Sequence, residues 1–511
     1  MAAVMKTSGL AGLLTGAVAL GIAELTAAVT GPNGAPVTAV GETAINLTPV
    51  PVKEFAIAHF GTHDKAALVT AIVVMLAAFA VLIGVLAVRR LAYGLAALAV
   101  FAAVGVAAAV SQGGGLNVVP TLAGAAVAGV TLVLMVHAIR GTGPAGGPGG
   151  KGLERRRLLI VGAGAAALGA AAGGLGHALL GRFSVASSRA AVRLPGPAVP
   201  AAAIPAGTDL RIPGLTPFMT SNASFYRVDT DLVLPQVSPE TWTLTIDGMV
   251  DRPVELTFAE LLKMPLTEAD ITLVCVSNQV GGTYNGNATW LGVPLAGLLR
   301  RAGVRVGADQ VLSAATDGMT ISTPVAAIMD GPILNGQNAL LAVGMNGQPL
   351  PVAHGFPARM IVPGLYGYVS ATKWVTKLTL TTFARQKAYW TQRGYSARAP
   401  IKTESRIDVP KPLSQVKAGR ITVAGVAWAP AKGIAKVEVS ADNGPWQKAT
   451  LAASGGIDTW RQWMWGWDAR PGLHNLRVRA TDNSGAAQTP QRAYPVPNGA
   501  SGWDSVVVTV M

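Results

Sequence analysis

The chain has 511 residues, 50% of them hydrophobic and 13% charged, with a formal net charge of +14 and one cysteine. This balance excludes a disordered polar chain and argues against a wholly soluble protein. A lone cysteine excludes a disulfide framework and any Cys-rich zinc or iron–sulfur cage. The basic residues flank apolar segments instead of clustering on a polar domain, so no nucleic-acid partner is expected.

A bilayer core requires about 20 apolar residues of helix. Five runs meet that length, at 8–29, 66–88, 91–110, 118–138 and 158–180. Residues 1–181 are therefore expected to be an all-α transmembrane bundle in contact with membrane lipid, its Ala and Gly letting helices approach closely. Lys6, the Arg89–Arg90 pair, Arg140, Lys151 and Arg155 to Arg157 all fall on one side if the N-terminus is cytoplasmic. The positive-inside rule then makes this a multi-pass cell-membrane protein whose C-terminal part is extracytoplasmic. Glu154-Arg-Arg-Arg-Leu-Leu-Ile-Val161 also reads as a twin-arginine export signal kept as an anchor, although plain topology accounts for the same residues. Glu24 lies near the outer end of the first run, where an acid is costly unless it is functional or reaches the interface. His59, His63, His137 and His177 are the haem-ligand candidates. By this topology His59 and His63 lie in a loop, and neither haem nor an iron–sulfur cluster is expected.

Residues 182–217, rich in Ala, Pro and Gly, read as a tether. Residues 218–394 read as a mixed α+β domain. Strand-like runs occur at Trp242 to Val250, Ile271 to Val276, Val311 to Ala315, Met360 to Val362 and Trp374 to Leu380, with short helices at Phe258 to Lys263 and Val293 to Ala302. Residues 395–511 read as an all-β, immunoglobulin-like sandwich. Its strands at Ile421 to Trp428, Ala435 to Ser440, Trp460 to Trp467, Leu473 to Ala480 and Val506 to Val510 are separated by turn clusters such as Asp442-Asn-Gly444. Its tryptophans fit core and interface positions better than a ligand cage.

Cys275 ends an apolar β run and precedes Val-Ser-Asn-Gln-Val-Gly-Gly, which places the thiol at a strand end facing a loop. A buried small hydrophobe is the ordinary fate of a free cysteine. One thiolate without neighbouring His or carboxylate ligands cannot hold a bare metal, but it can be the sole protein ligand to a metal already chelated by an organic cofactor. Such a cofactor needs anion donors. His354-Gly-Phe-Pro-Ala-Arg359 and Ser370-Ala-Thr-Lys373-Trp374 supply imidazole, guanidinium, hydroxyl and ammonium groups suited to a phosphate.

These stretches, with Phe225-Tyr226-Arg227, Thr272-Leu-Val-Cys-Val-Ser-Asn278, Trp290-Leu-Gly-Val-Pro-Leu, Asp317-Gly, Met345-Asn-Gly-Gln-Pro-Leu-Pro and Val362-Pro-Gly-Leu-Tyr-Gly, resemble the molybdopterin domain of the sulfite oxidase family. The tail around Ile434-Ala-Lys-Val-Glu-Val-Ser resembles that family's dimerisation domain. The resemblance implies a Mo-molybdopterin cofactor with Cys275 as the metal ligand and Cys275, Asn278 and Tyr366 as catalytic positions. Tyr226, Arg227, Asp317, His354, Arg359, Ser370 and Lys373 would join Cys275 around the cofactor. It further implies two-electron oxygen-atom transfer with a small-molecule oxo donor or acceptor, an electron partner such as a quinone or cytochrome, and a homodimer.

Departures from the family pattern concern the substrate. Family sulfite oxidases follow the cysteine with Ala-Gly-Asn-Arg-Arg, where this chain has Gln279 and Val280 in place of the arginines. Val343 occupies the catalytic tyrosine position and Val369 that of a further arginine; Tyr284, Tyr366, Tyr368 and Arg461 are the candidates to compensate. Losing these groups argues against efficient oxidation of a dianion. Two other classes compete: a cofactor-free exported binding module on a membrane anchor, and a membrane transporter or electron conduit with an accessory outer domain.

Overall fold

The structure, a computed structural model, describes residues 2–60, 64–140, 150–329 and 339–511. It contains two compact units, one of Met1–Ser184 with Asp229–Leu234, the other of Val185–Val228 with Pro235–Met511.

The first unit is helical: α1 (Ala2–Thr30), α2 (Pro36–Leu47), α3 (Val50–Phe60), α4 (Asp64–Arg89), α5 (Leu91–Ser111), α6 (Val119–Arg140) and α7 (Gly150–Leu180). Among the described residues, five helical segments are long and apolar enough to cross a membrane: Lys6–Thr30, Lys65–Arg89, Leu91–Ser111, Gly115–Arg140 and Arg156–Ala191. They match the five runs read from sequence. Glycines set the close approach of α1 to its neighbours. A Cβ on Gly12 would lie 1.9 Å from the Ala80 carbonyl oxygen, and one on Gly21 would lie 2.4 Å from that of Gly169. The Arg140 guanidinium reaches the last carbonyls of α4, 3.3 Å from Ala87 and 3.2 Å from Val88, where the helix dipole is negative.

One sequence expectation changes here. The segment between the first two spans is not a plain loop but carries α2 and α3, and His59 is helical, with Nδ1 2.9 Å from the Phe55 carbonyl. Pro36 at the start of α2 presets the helical φ, which a count of charges does not reveal. His63 and the Gly/Pro-rich stretch 141–149 lie outside the described residues.

The second unit opens with α8 (Ala186–Ala191). The 182–217 stretch, expected as a tether, instead packs along this unit for most of its length. The Ala198 N–H donates to the Leu266 carbonyl at 2.8 Å, Arg189 to those of Leu350 and Pro349 at 2.7 and 2.6 Å, and the Leu210 N–H to Gln462 Oε1 at 2.6 Å. Extended, proline-rich chain has no internal backbone bonds, so its remaining N–H groups seek acceptors on neighbouring elements.

The next elements are β1 (Thr243–Gly248), β2 (Val254–Thr257), α9 (Phe258–Leu262), β3 (Thr267–Val274), β4 (Asn285–Pro294), α10 (Leu295–Ala302), β5 (Gln310–Ala315) and β6 (Thr320–Pro324). There follow α11 (Val325–Ile328), β7 (Leu340–Met345), β8 (Gln348–Pro349), β9 (Arg359–Ile361) and β10 (Val375–Thr381). One sheet runs β2-β1-β10-β5-β6, with β1 and β10 parallel; another runs β3-β4-β7-β8, with β9 also pairing to β7. Ile271, Leu273, Ala288, Trp290, Leu340, Phe356 and Ile361 form the core beneath the second sheet. That core anchors β3, which leads directly into Cys275, and β9, which begins at Arg359.

The remaining strands are β11 (Glu404–Val409), β12 (Gln415–Val416), β13 (Gly419–Trp428), β14 (Ile434–Ala441), β15 (Gln447–Lys448), β16 (Thr450–Leu451), β17 (Arg461–Ala469), β18 (Gly472–Asp482) and β19 (Asp504–Val510). They build sheets β11-β13-β17-β16 and β12-β19-β18-β14-β15, which share a core containing Val423, Val437, Trp463, Val478 and Val508. Alternation of buried and half-buried positions from Leu476 to Asp482 of β18 shows the period-two pattern that made this strand legible. Trp428, Trp460 and Trp463 are fully buried in this region.

Candidate active site

Cys275 follows directly on β3. Val274 is the last residue of β3 in register with β4, opposite Asn285, and the Cys275 N–H then donates to the Tyr284 carbonyl at 2.9 Å. This bond closes a loop between the two strands. Within it the Asn278 N–H donates to the Cys275 carbonyl at 3.1 Å, and Asn278 Oδ1 accepts from the Tyr284 N–H at 2.8 Å. The Asn278 carbonyl oxygen is thus engaged in holding the loop's shape. Burial pushes the Cys275 thiol up, while the neighbouring Ser277 N–H and hydroxyl and the Val276 N–H act in the opposite direction. These neighbouring N–H and O–H groups favour the thiolate, against the burial that favours the thiol.

A glycine builds the second corner. Gly355 has φ +105°, and a Cβ there would lie 3.0 Å from Lys373 Cα and 3.1 Å from Arg359 Cβ. Only glycine allows this turn to nest against both basic residues. Arg359 is buried; it donates to the His354 carbonyl at 3.1 Å and the Ala371 carbonyl at 3.4 Å, and its guanidinium lies 5.1 Å from the Trp290 ring centre. Its Nε has no hydrogen-bond partner, and burial lowers its pKa to about 10. Among the described residues no carboxylate pairs with this guanidinium. A buried cation so placed has an unmet demand for an anion.

His354 stands next to it, with Nε2 3.2 Å from the Asn222 carbonyl. Burial, followed by the positive charges of Arg359, Lys373 and Arg227, lowers its pKa to about 4. The imidazole is therefore neutral at pH 7. Lys373 lies 4.3 Å from the Trp374 ring centre and donates to the Ala353 carbonyl at 3.3 Å. Tyr226 links the two corners. Burial and the neighbouring Cys275 push its phenol well above the usual range, and Arg359 acts in the opposite direction.

Tyr366 is buried; burial followed by Glu404 raises its pKa, the nearby Lys402 N–H acts in the opposite direction, and Cys275 lies within its electrostatic reach. The Ser370 hydroxyl is shared between the Leu365 and Tyr366 carbonyls, both at 3.0 Å, inside its own loop. Asp317 Oδ1 accepts from the Met319 N–H at 2.9 Å in the β5–β6 turn, which touches Trp374 through the Thr316 N–H at 3.1 Å. The structure thus gathers Cys275, Tyr226 and Tyr366 at one end and Arg227, His354, Arg359 and Lys373 at the other. Ser370 borders this group, and Asp317 sits on an adjacent hairpin.

The substituted family positions are informative. Val343 and Val369 are fully packed, whereas Gln279 is exposed and Val280 half-buried. Of the residues considered as compensating, Arg461 spends its donors on the Ala452 and Ile434 carbonyls, at 2.8 and 2.9 Å, and Tyr368 donates to the Ser396 carbonyl at 2.7 Å. Sequence reasoning missed Ser277, Lys402, Glu404 and Arg406. Glu404 is buried, and burial, partly offset by Lys402 and reinforced by Asp504, raises its pKa to about 8. Charged residues repeated along the β run Glu404-Ser-Arg-Ile-Asp408 were the available signal.

Among the described residues no group of three or more His, Cys, Asp and Glu side chains could hold a metal ion. A lone sulfur at one end and an anion-seeking Arg359 at the other fit a metal that arrives in a phosphate-bearing chelate. The comparisons agree. The family model described as "Oxidoreductase molybdopterin binding domain" matches residues 231–390. Mitochondrial sulfite oxidase of Mus musculus is 26% identical over 332 residues, 55% of this chain and 59% of that protein. The Homo sapiens protein is 27% identical over 278 residues, 46% of this chain and 49% of that protein, so the chain spans about half the length of the sulfite oxidases it matches. The uncharacterized oxidoreductase YuiH of Bacillus subtilis (strain 168) is 31% identical over 157 residues, 31% of this chain and 73% of that protein. The fold is similar to the sulfane dehydrogenase SoxCD from Paracoccus pantotrophus, with TM-score 0.50 and 22% identity over 58% of this chain and 84% of that one. The chain belongs to the sulfite oxidase family of molybdopterin-dependent oxidoreductases.

Proposed function

We propose that this chain is a membrane-anchored, extracytoplasmic molybdoenzyme that carries out oxygen-atom transfer on a small substrate other than sulfite. The observation that carries this reading is the buried Arg359 guanidinium, which lacks a carboxylate and shares its corner with His354, Lys373 and Arg227. These four residues hold the cofactor phosphate, with Ser370 and Asp317 bordering them, and Tyr226 spans toward the metal. Cys275 supplies the sulfur ligand. When bound, the metal supplies two-electron redox chemistry coupled to gain or loss of an oxygen atom. The raised pKa of Tyr366 keeps its phenol protonated and able to donate. It can therefore polarise a neutral oxo group. Gln279, Val280 and Val369 leave the pocket less cationic than a dianion requires.

Residues 395–511 would form an immunoglobulin-like, dimer-forming domain, and a quinone or cytochrome would exchange electrons with the metal. Arg155 to Arg157, near the start of α7, would fix its cytoplasmic end and direct export, by the twin-arginine route if the domain crosses already loaded.

The test compares turnover of purified, loaded protein with sulfite, sulfoxides and N-oxides, using artificial electron donors and acceptors. We expect an S-oxide or N-oxide to be preferred over sulfite by at least tenfold in kcat/KM, about 1.4 kcal/mol. Preference for sulfite would overturn the substrate reading. Protease digestion of intact spheroplasts tests topology: residues 395–511 should be cut from outside, and complete protection would reverse the orientation.

A further inference from the structure

We propose that Arg406, on the first strand of the C-terminal β-rich part, is a positioning residue for Cys275, so that the candidate metal site is completed from outside the cofactor-binding stretch. This rests on reading Cys275 as the metal ligand. Arg406 is buried, and each of its guanidinium nitrogens is used. Nε donates to Asp408 Oδ1 at 2.7 Å and Nη2 to Thr216 Oγ1 at 3.0 Å, while Nη1 donates to the Gly282 carbonyl at 2.5 Å and Asn285 Oδ1 at 3.0 Å. Gly282 belongs to the loop that begins at Cys275, and Asn285 is its far foot, in register with Val274. One planar fork therefore pins both the loop and the strand pair that carries the cysteine.

Asp504 packs against the same loop at Gly281. Its Oδ1 lies 2.5 Å from where a Cβ on Gly281 would sit, and its Oδ2 accepts from the Ile407 N–H at 2.9 Å. Gly281 has φ +77°, so its lack of a side chain serves both the turn and the contact. A buried Arg–Asp pair is weak evidence for stability, because desolvation offsets its attraction, and its best-attested use is to fix one geometry. Here the geometry fixed is that of the segment carrying Gln279 and Val280, next to Cys275. Lysine cannot reproduce it: an ammonium is a point charge without the guanidinium's rigid planar fork.

The chain has one cysteine, so alkylation of the cofactor-free, full-length protein reports on that sulfur alone. Arg406→Lys keeps a cation beside Asp408 while losing the fork. We expect Cys275 to react about tenfold faster in this variant, as removal of a charge-assisted bond eases local opening of the loop. Arg406→Met with Asp408→Asn, which removes both buried charges together, should show the same acceleration. Wild-type alkylation rates in whichever of these proteins folds would overturn the proposal, even where the melting temperature falls, because that pattern belongs to a structural role only. The ligand reading fails separately: a Cys275→Ser protein with unchanged metal X-ray absorption would remove it without touching the alkylation result.

Discussion

Arg359 rests against Trp290, its guanidinium 5.1 Å from the indole centre, with Nε still unpartnered. The ring shields one face of the cation from water and offers it no hydrogen bond. What remains is one buried, unsatisfied donor, Nε, suited to an anion such as phosphate. Arg359→Met should keep the packing and lose the donor. Each charge-assisted bond to a phosphate contributes about 1.5–3 kcal/mol, so cofactor retention should fall roughly tenfold or more. Pterin released by denaturation and quantified by fluorescence gives the occupancy; full loading of the variant would remove Arg359 from the phosphate corner.

His354 gives a stability signature. Its folded pKa is about 4, below the ordinary 6.5, because burial and then Arg359 disfavour the imidazolium. Between these values the unfolded chain binds the extra proton, so stability rises with pH across the window and is lost as pH falls from 6.5 toward 4. The full effect is about 3 kcal/mol at most. Urea unfolding of cofactor-free wild-type and His354→Gln protein at pH 7, 5 and 4 measures it. The wild type should lose more stability than the variant on acidification, and parallel losses would refute the buried neutral imidazole.

The Ser277 hydroxyl lies beside the Cys275 sulfur and favours its charged form. Donors to a ligating thiolate withdraw charge and stabilise the reduced metal. Ser277→Ala should therefore shift the metal's midpoint potential to more negative values with unchanged metal content. Redox titration monitored by electron paramagnetic resonance reads the shift, and a potential equal to wild type would show that the hydroxyl does not tune the site.

Val280 is half-buried on the cysteine loop, and Gln279 beside it is exposed, so both positions can accept arginine. Val369 cannot, since it is packed in the core. Gln279→Arg with Val280→Arg should lower KM for sulfite by about tenfold through a new charge-assisted contact. A KM that does not move would place this loop away from the substrate.

Much of this molecule was readable before its coordinates. Helix spans were legible as unbroken apolar runs of membrane-crossing length, and strands such as β18 because alternate positions are buried. Cys275 and His354 stood out because thiol and imidazole are scarce here and fell next to glycine turns, and Arg359 because it follows the same turn as His354. What was hidden depends on distant pairing. Arg406 meets Gly282 across 124 positions of sequence, and Ser277 counts only because the chain bends back on its own cysteine. The 182–217 stretch misled for the opposite reason: proline-rich composition speaks of stiffness and says nothing of the edge it lies along.

The most direct test is molybdenum and pterin analysis of the purified full-length protein alongside Cys275→Ser. Wild type should carry about one molybdenum and one pterin per chain, with X-ray absorption showing one more sulfur neighbour than in the variant. Absence of molybdenum from folded wild-type protein, or an identical sulfur shell in both, would contradict the assignment of Cys275 as its ligand.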